Sequence, residues 1–291
     1  MKWQRGTQND DVVDVRGRKA PAGRIAAGGV GVTILVVVVA QLLGVDISGL
    51  FSGDSGGGGT SPQQPQQQTT NPDPPKGDDP EAEMIEFIRF VMKDIQDAFE
   101  VEFKASGKTY ERAKLLVFRE VIDTACGRSS AAIGPFYCPG DRQAYIDLSF
   151  FRELKARFGA PGDFAQAYVL AHEIGHHVQN LLGTESKTRR MGRDERSRNA
   201  VSVKIELQAD CYAGVWGNSA QGKKLLEIGD LEEALKAAEA IGDDRLQKQA
   251  GVDVDPETFT HGSSAQRMKW FRRGYDTGKL EACDTFSASD L

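Results

Sequence analysis

Ala171-His172-Glu173-Ile174-Gly175-His176-His177 is the stretch on which the reading of this chain turns. In an α-helix, positions i and i+4 lie one above the other, so His172 and His176 share a face and can hold one zinc ion between their imidazoles. Glu173, about a hundred degrees round the same helix, reaches a water beside that ion and can act as its base, which is the mechanics of the H-E-x-x-H pattern. The chemistry requires a helix. Phe164, Ala167, Tyr168, Ala171, Val178, Leu181 and Leu182 supply apolar positions at helical intervals, and Asp163, after Pro161-Gly162, is the expected N-cap. His177 points about 140 degrees away from His172, so a packing or surface role is expected for it.

A catalytic zinc needs a third protein ligand and an open position. Thirty residues beyond His176, Glu206-Leu-Gln-Ala-Asp210 again puts two acids four apart, among Val203, Ile205, Leu207, Ala209 and Tyr212. Glu206 is the expected third ligand, and Asp210 the expected partner of the far nitrogen of a ligand histidine. A solvated helix face is the rival reading. His261, at the mouth of a last helix, and Arg267 are candidate donors to an oxyanion.

Working outward, 36 basic and 42 acidic side chains give a net charge of −6, which leaves no electrostatic footprint for nucleic acid. Residues 25–45 are an uncharged, mostly apolar run of 21 residues, about 31 Å long as a helix and so matched to a bilayer core. Arg16, Arg18, Lys19 and Arg24 precede it, so a retained single-pass anchor is expected with residues 1–24 as a cytoplasmic tail. A cleaved signal peptide is the alternative. Residues 46–80, rich in Gly, Pro and Gln, read as a disordered linker. A folded domain is expected over 81–291. It opens on a helix carrying Met84, Ile85, Ile88, Val91, Met92, Ile95 and Phe99, with Asp79 as N-cap. Strands are expected over 114–121 and 143–148, the second offering its edge to an extended peptide. Helices are expected over 150–158, 201–216, 231–240 and 263–275, with 184–198 as a polar surface loop.

Four cysteines in an exported chain suggest two disulfides. Cys126 with Cys138, and Cys211 with Cys283, are preferred to the other two pairings and to a zinc–cysteine site.

Taken together, residues 125–127 (Ala-Cys-Gly), 134–139 (Gly-Pro-Phe-Tyr-Cys-Pro), 158–164, 171–179, 206–211 and 259–267 (Phe-Thr-His-Gly-Ser-Ser-Ala-Gln-Arg) resemble the bacterial membrane-anchored neutral zinc metallopeptidases. The resemblance implies an α+β, zincin-like domain, mainly helical with a small sheet, with Zn2+ on His172 and His176 and with Glu173 as acid and base. A looser likeness to the prenyl-protein and heat-shock membrane metalloproteases, which pair H-E-x-x-H with a downstream Glu-x-x-x-Asp and a late Thr-His, supports Glu206, His261 and Arg267. The expectation is a zinc metalloendopeptidase at the inner membrane, facing the periplasm or exterior and acting on peptide or protein substrates of the envelope. A catalytically silent zinc-bound module that binds envelope proteins is the alternative.

Overall fold

The apolar stripe that starts at Met84 folds as α1 (Ala82–Ala105), with Ile88, Val91, Met92, Ile95 and Phe99 fully buried at three- and four-residue intervals. The computed structural model describes residues 1–17, 79–188 and 191–291. Asp79 sits just outside α1, its carboxylate accepting the Glu81 N–H at 2.9 Å. Gln96, buried mid-helix, fixes the start of the sheet: it donates to the Ala113 carbonyl at 2.9 Å and accepts the Ala113 N–H at 2.8 Å.

Among the described residues the sheet has four strands. In chain order they are β1 (Val12–Asp14), β2 (Lys114–Phe118), β5 (Phe136–Cys138) and β6 (Gln143–Asp147), with β3 (Val121–Thr124) and β4 (Gly127–Ser130) forming a separate hairpin. The spatial order is β1-β2-β6-β5, parallel except for β5, which runs antiparallel to β6. The expected strand over 114–121 stops at Phe118 because the chain reverses at Glu120, where φ is 63°. The strand near Tyr145 is not an edge. Both sides of β6 are paired, so among the described residues β5 is the outermost strand on this side of the sheet.

Helices pack over the rest: α2 (Ser149–Ala156), α3 (Asp163–Leu182), α4 (Thr184–Thr188), α5 (Glu195–Gly222), α6 (Asp230–Ala240), α7 (Asp243–Gln249) and α8 (Ser264–Thr277). Gly162 rather than Asp163 is the N-cap of α3, and Asp163 lies in the first turn, where its charge suits the helix dipole. Gly183, in the left-handed region at φ 72°, ends the helix. The polar stretch 184–198, expected as a loop, contains α4 and the start of α5. Asp194 and Ser197 close a capping box there, so local side-chain bonds outweigh the missing apolar stripe. Helices α5 and α8 touch backbone to backbone: a methyl on Gly274 would meet the Cys211 carbonyl, and one on Gly214 that of Phe271. The disulfides join Cys126 to Cys138 and Cys211 to Cys283, as preferred from the sequence. The result is a helix-rich α+β fold with a small sheet.

One expectation is corrected here. Residues 1–17 are not a tail separate from the domain, because β1 pairs with β2 in register from Val12–Leu115 to Asp14–Val117. Trp3 packs edge-on against Phe87 at 5.7 Å, and Met1 is buried. Arg16 then joins the two sides of the chain, meeting Asp14 at 2.7 Å and both Asp79 and Glu81 at 2.6 Å. The β1–β2 ladder and the Arg16 cluster supply the contacts that a charged tail read alone does not reveal. The apolar run 25–45 and residues 46–78 of the linker lie outside the described residues. Among the described residues no helix is long and apolar enough to cross a membrane.

Candidate metal centre

Helices α3 and α5 meet at Gly175. A methyl there would lie 2.8 Å from the Ala209 carbonyl oxygen, so the glycine inside the H-E-x-x-H turn is what lets the two helices approach. That approach brings Glu206 of α5 to the histidines of α3. His172 Nε2 lies 3.1 Å from Glu206 Oε2 and 3.2 Å from His176 Nε2, and His176 Nε2 lies 3.6 Å from Glu206 Oε1. Two ligands held at about 2.05 Å on tetrahedral zinc stand about 3.3 Å apart, so this donor set fits the ion in spacing and in chemistry.

The far sides of the rings are also held. His172 Nδ1 donates to Asp210 Oδ1 at 2.8 Å and His176 Nδ1 donates to Gln179 Oε1 at 2.9 Å, which leaves each Nε2 facing the shared point. Gln179 is fixed in turn by donating to the Ile205 carbonyl at 2.7 Å. Its role was missed in the sequence, although it lies one helical turn beyond His176; a buried amide three residues past a ligand is the signal that could have found it.

Asp210 is wholly buried and accepts from four groups: Tyr168 O–H at 2.6 Å, His172 Nδ1 at 2.8 Å, Arg267 Nε at 2.8 Å and Arg267 Nη2 at 2.9 Å. Burial works against its charge, but Arg267 and His172 outweigh it and hold its carboxyl at about 2. Arg267 therefore corrects its expectation as an oxyanion donor. Its guanidinium is 2 % exposed, forks onto Asp210 and reaches the Ile241 carbonyl at 3.3 Å, on the Nδ1 side of His172 and away from the ligand nitrogen. A bidentate partner on the buried acid satisfies it there.

Burial lowers the His172 imidazole, yet Asp210 on one nitrogen and Glu206 on the other raise it to about 10. A proton on Nε2 is thus drawn toward Glu206, and a divalent cation takes the place of that proton. Glu206 is held well below the usual carboxylate range: burial opposes its charge, and the histidines His176, His172 and His261 prevail. Burial raises Glu173, only partly offset by His172 and His176, and among the described residues no protein group hydrogen-bonds to its carboxylate. Glu173, His172, His176, Glu206 and His261 all line one cleft of about 380 Å³.

His261 is held by Asp243, whose Oδ1 lies 3.1 Å from Nδ1, and by Thr260 Oγ1 at 2.9 Å; Asp243 raises it against the effect of burial. Asp243 is a second residue the sequence reading passed over, inside what looked like a Gly-Asp-Asp loop. His177 is buried, as one of its two expected roles had it. Its Nε2 donates to the Glu111 carbonyl at 2.6 Å and its Nδ1 accepts from Tyr137 O–H at 3.0 Å, so the back of α3 is bolted to β5. Cys126–Cys138 ties the β3–β4 turn to the same strand, and Gly134, Pro135 and Phe136 beside it form part of the cleft wall.

The chain is 45% identical over 298 residues to "Uncharacterized protein YpfJ" of Escherichia coli K12, covering 99% of this chain and all of that one. It is 47% identical over 196 residues to "Uncharacterized protein Mb2605" of Mycobacterium bovis, covering 62% of this chain and 65% of the relative. No solved structure matches it. The family profile described as "Putative neutral zinc metallopeptidase" matches residues 1–286, β1 included, so the chain belongs to that neutral zinc metallopeptidase family.

Proposed function

We propose that this chain is a zinc-dependent endopeptidase that hydrolyses peptide bonds in protein or peptide substrates of the cell envelope. The observation that carries this reading is the convergence of His172, His176 and Glu206, one donor atom from each lying within 4.8 Å of the others, on the wall of a cleft that Glu173 also lines. Bound by those three residues, zinc supplies a Lewis acid for the scissile carbonyl and acidifies water. Glu173 takes the proton from the attacking water and delivers it to the leaving amine. Asp210 and Gln179 keep the two ligand rings in the tautomer that directs Nε2 inward. His261, with Nδ1 engaged by Asp243, turns its other nitrogen to the charge that develops on the carbonyl oxygen. Strand β5, whose residues line the cleft, lies beside the extended substrate backbone, in place of the β6 edge that the sequence suggested. The test is cleavage of an unfolded protein by the zinc-loaded full chain: cleavage should vanish on chelation and return with added zinc. Stoichiometric zinc without cleavage of any protein or peptide would refute the reading.

The two disulfides favour an oxidising compartment, and the run 25–45 is the part suited to hold the protein at a membrane. One crossing between residues 17 and 79 would separate β1 from β2 by a bilayer. The reading therefore keeps residues 1–17 and 79–291 together on the oxidising side, with the run meeting the membrane from that side. Asp10→Cys and Lys248→Cys, at exposed positions, should both be labelled by a membrane-impermeant maleimide on intact spheroplasts. Labelling of Lys248→Cys alone would restore the single crossing.

A further inference from the structure

Helix α7 begins against the start of α8, closely enough that a methyl on Gly242 would strike the backbone of Ser264. From that position Asp243 uses one carboxylate oxygen to accept three successive backbone N–H groups, from Thr260 at 2.8 Å, His261 at 2.6 Å and Gly262 at 3.0 Å. Its other oxygen meets His261 Nδ1 at 3.1 Å. Asp243 N–H in turn donates to the Gly262 carbonyl at 2.9 Å, and Gly262 has φ +92°, a backbone shape that glycine adopts without strain. Asp244 fixes the next turn by accepting from Ser264 N–H at 2.7 Å and from Ser264 Oγ at 2.8 Å. The loop that carries His261 is thereby held from α7, an element that contributes no ligand to the metal centre. A carboxylate aimed at both the backbone and one ring nitrogen fixes the histidine's position and which nitrogen bears the proton.

We propose that Asp243 is a positioning residue for the hydrolysis: it orients His261 so that Nδ1 faces the carboxylate and Nε2 faces the substrate oxygen beside Glu206. The inference rests on the endopeptidase reading above. Two properties separate such a role from plain support of the loop. The carboxylate acts through His261, so its removal matters only while His261 is present. It also sets the tautomer, which is visible without turnover.

The test uses the zinc-loaded full chain as wild type, Asp243→Asn, His261→Ala and the double variant. Asp243→Asn keeps an acceptor oxygen for the loop N–H groups but removes the carboxylate from Nδ1. Its kcat should fall about 10- to 100-fold, the range for groups that orient a catalytic side chain, with KM changed less than about 3-fold and zinc still one per chain. In the His261→Ala background the same change should cost less than about 2-fold, because coupled residues are not additive. An equal fold loss in both backgrounds would overturn the proposal in favour of loop support, as would an unchanged kcat in the single variant. With only four histidines in the chain, nitrogen-15 spectra should show the His261 Nδ1–H signal in wild type and its loss or exchange in Asp243→Asn; an unaltered His261 signal also overturns it. The spectrum decides the role of Asp243 even if wild type and Glu173→Gln alike fail to cleave, an outcome that sinks the endopeptidase reading instead.

Discussion

Glu173→Gln should keep one zinc per chain and lower cleavage by about 10³-fold, within the range general acid–base groups supply. Glutamine matches glutamate in size, so the buried site beside His172 and His176 keeps its packing while losing the group that accepts a proton. The three ligands are untouched, so metal affinity should shift by much less than activity. Measured zinc content beside kcat/KM separates the possible outcomes. Zinc retained with cleavage lost assigns the proton transfer to Glu173. Zinc bound in both proteins with cleavage in neither is the signature of the silent envelope-binding module, and undiminished cleavage by the variant would remove Glu173 from the chemistry altogether.

Asp210→Asn should destabilise the fold by about 3–5 kcal/mol, the cost of stripping one partner from a buried ion pair. Arg267, 2 % exposed, loses the charge that its fork meets at 2.8 and 2.9 Å, and Tyr168 and His172 are left with one neutral amide oxygen in place of a carboxylate. Zinc affinity should fall about 10- to 100-fold in the same variant, because a neutral amide holds the His172 ring from behind more weakly than the carboxylate does. Pairing Asp210→Asn with Arg267→Met should recover part of the lost stability, since the unmatched charge is then gone; denaturant midpoints of the four proteins measure it. The pH dependence has a definite sign. The folded carboxyl is depressed to about 2, so its contribution is present above the ordinary aspartate range near 4 and is lost as pH falls toward about 2. The variant should accordingly show a flatter acid limb between about pH 4 and 2. A stability change below about 1 kcal/mol would mean that the Arg267 pair does not carry the packing between α5 and α8.

The chemistry of the site was legible in local spacing because helices impose it. His172, Glu173 and His176 follow from a four-residue interval, and Glu206 and Asp210 from a second one on another apolar-patterned helix. Periodicity likewise carried α1, α3 and α6, though the caps expected at Asp79 and Asp163 fall at Glu81 and Gly162, and the cysteine pairing followed from the chain's order. The parts that were not legible depend on which distant segments meet. Arg267 read as a donor to substrate because sequence gives its charge but not its direction; only the crossing of α8 over α5, backbone against backbone at Gly214 and Gly274, turns it onto Asp210. Gln179, three residues past His176, carries a spacing signal that went unread, whereas Asp243 carries none, since its hydrogen bond to a ring nitrogen is fixed by three-dimensional approach. The edge of the sheet passed from β6 to β5 because a three-residue strand is too short to announce itself. Residues 1–17 looked like a charged tail until β1 supplied the ladder and Arg16 closed on Asp79 and Glu81. The sequence by itself marked out the candidate metal ligands, the candidate base and the helices that bear them, through periodicities that act within one turn. Tertiary structure alone decided the orientation of the supporting groups and the side of the sheet on which the first residues lie, because those rest on contacts between segments tens to hundreds of residues apart.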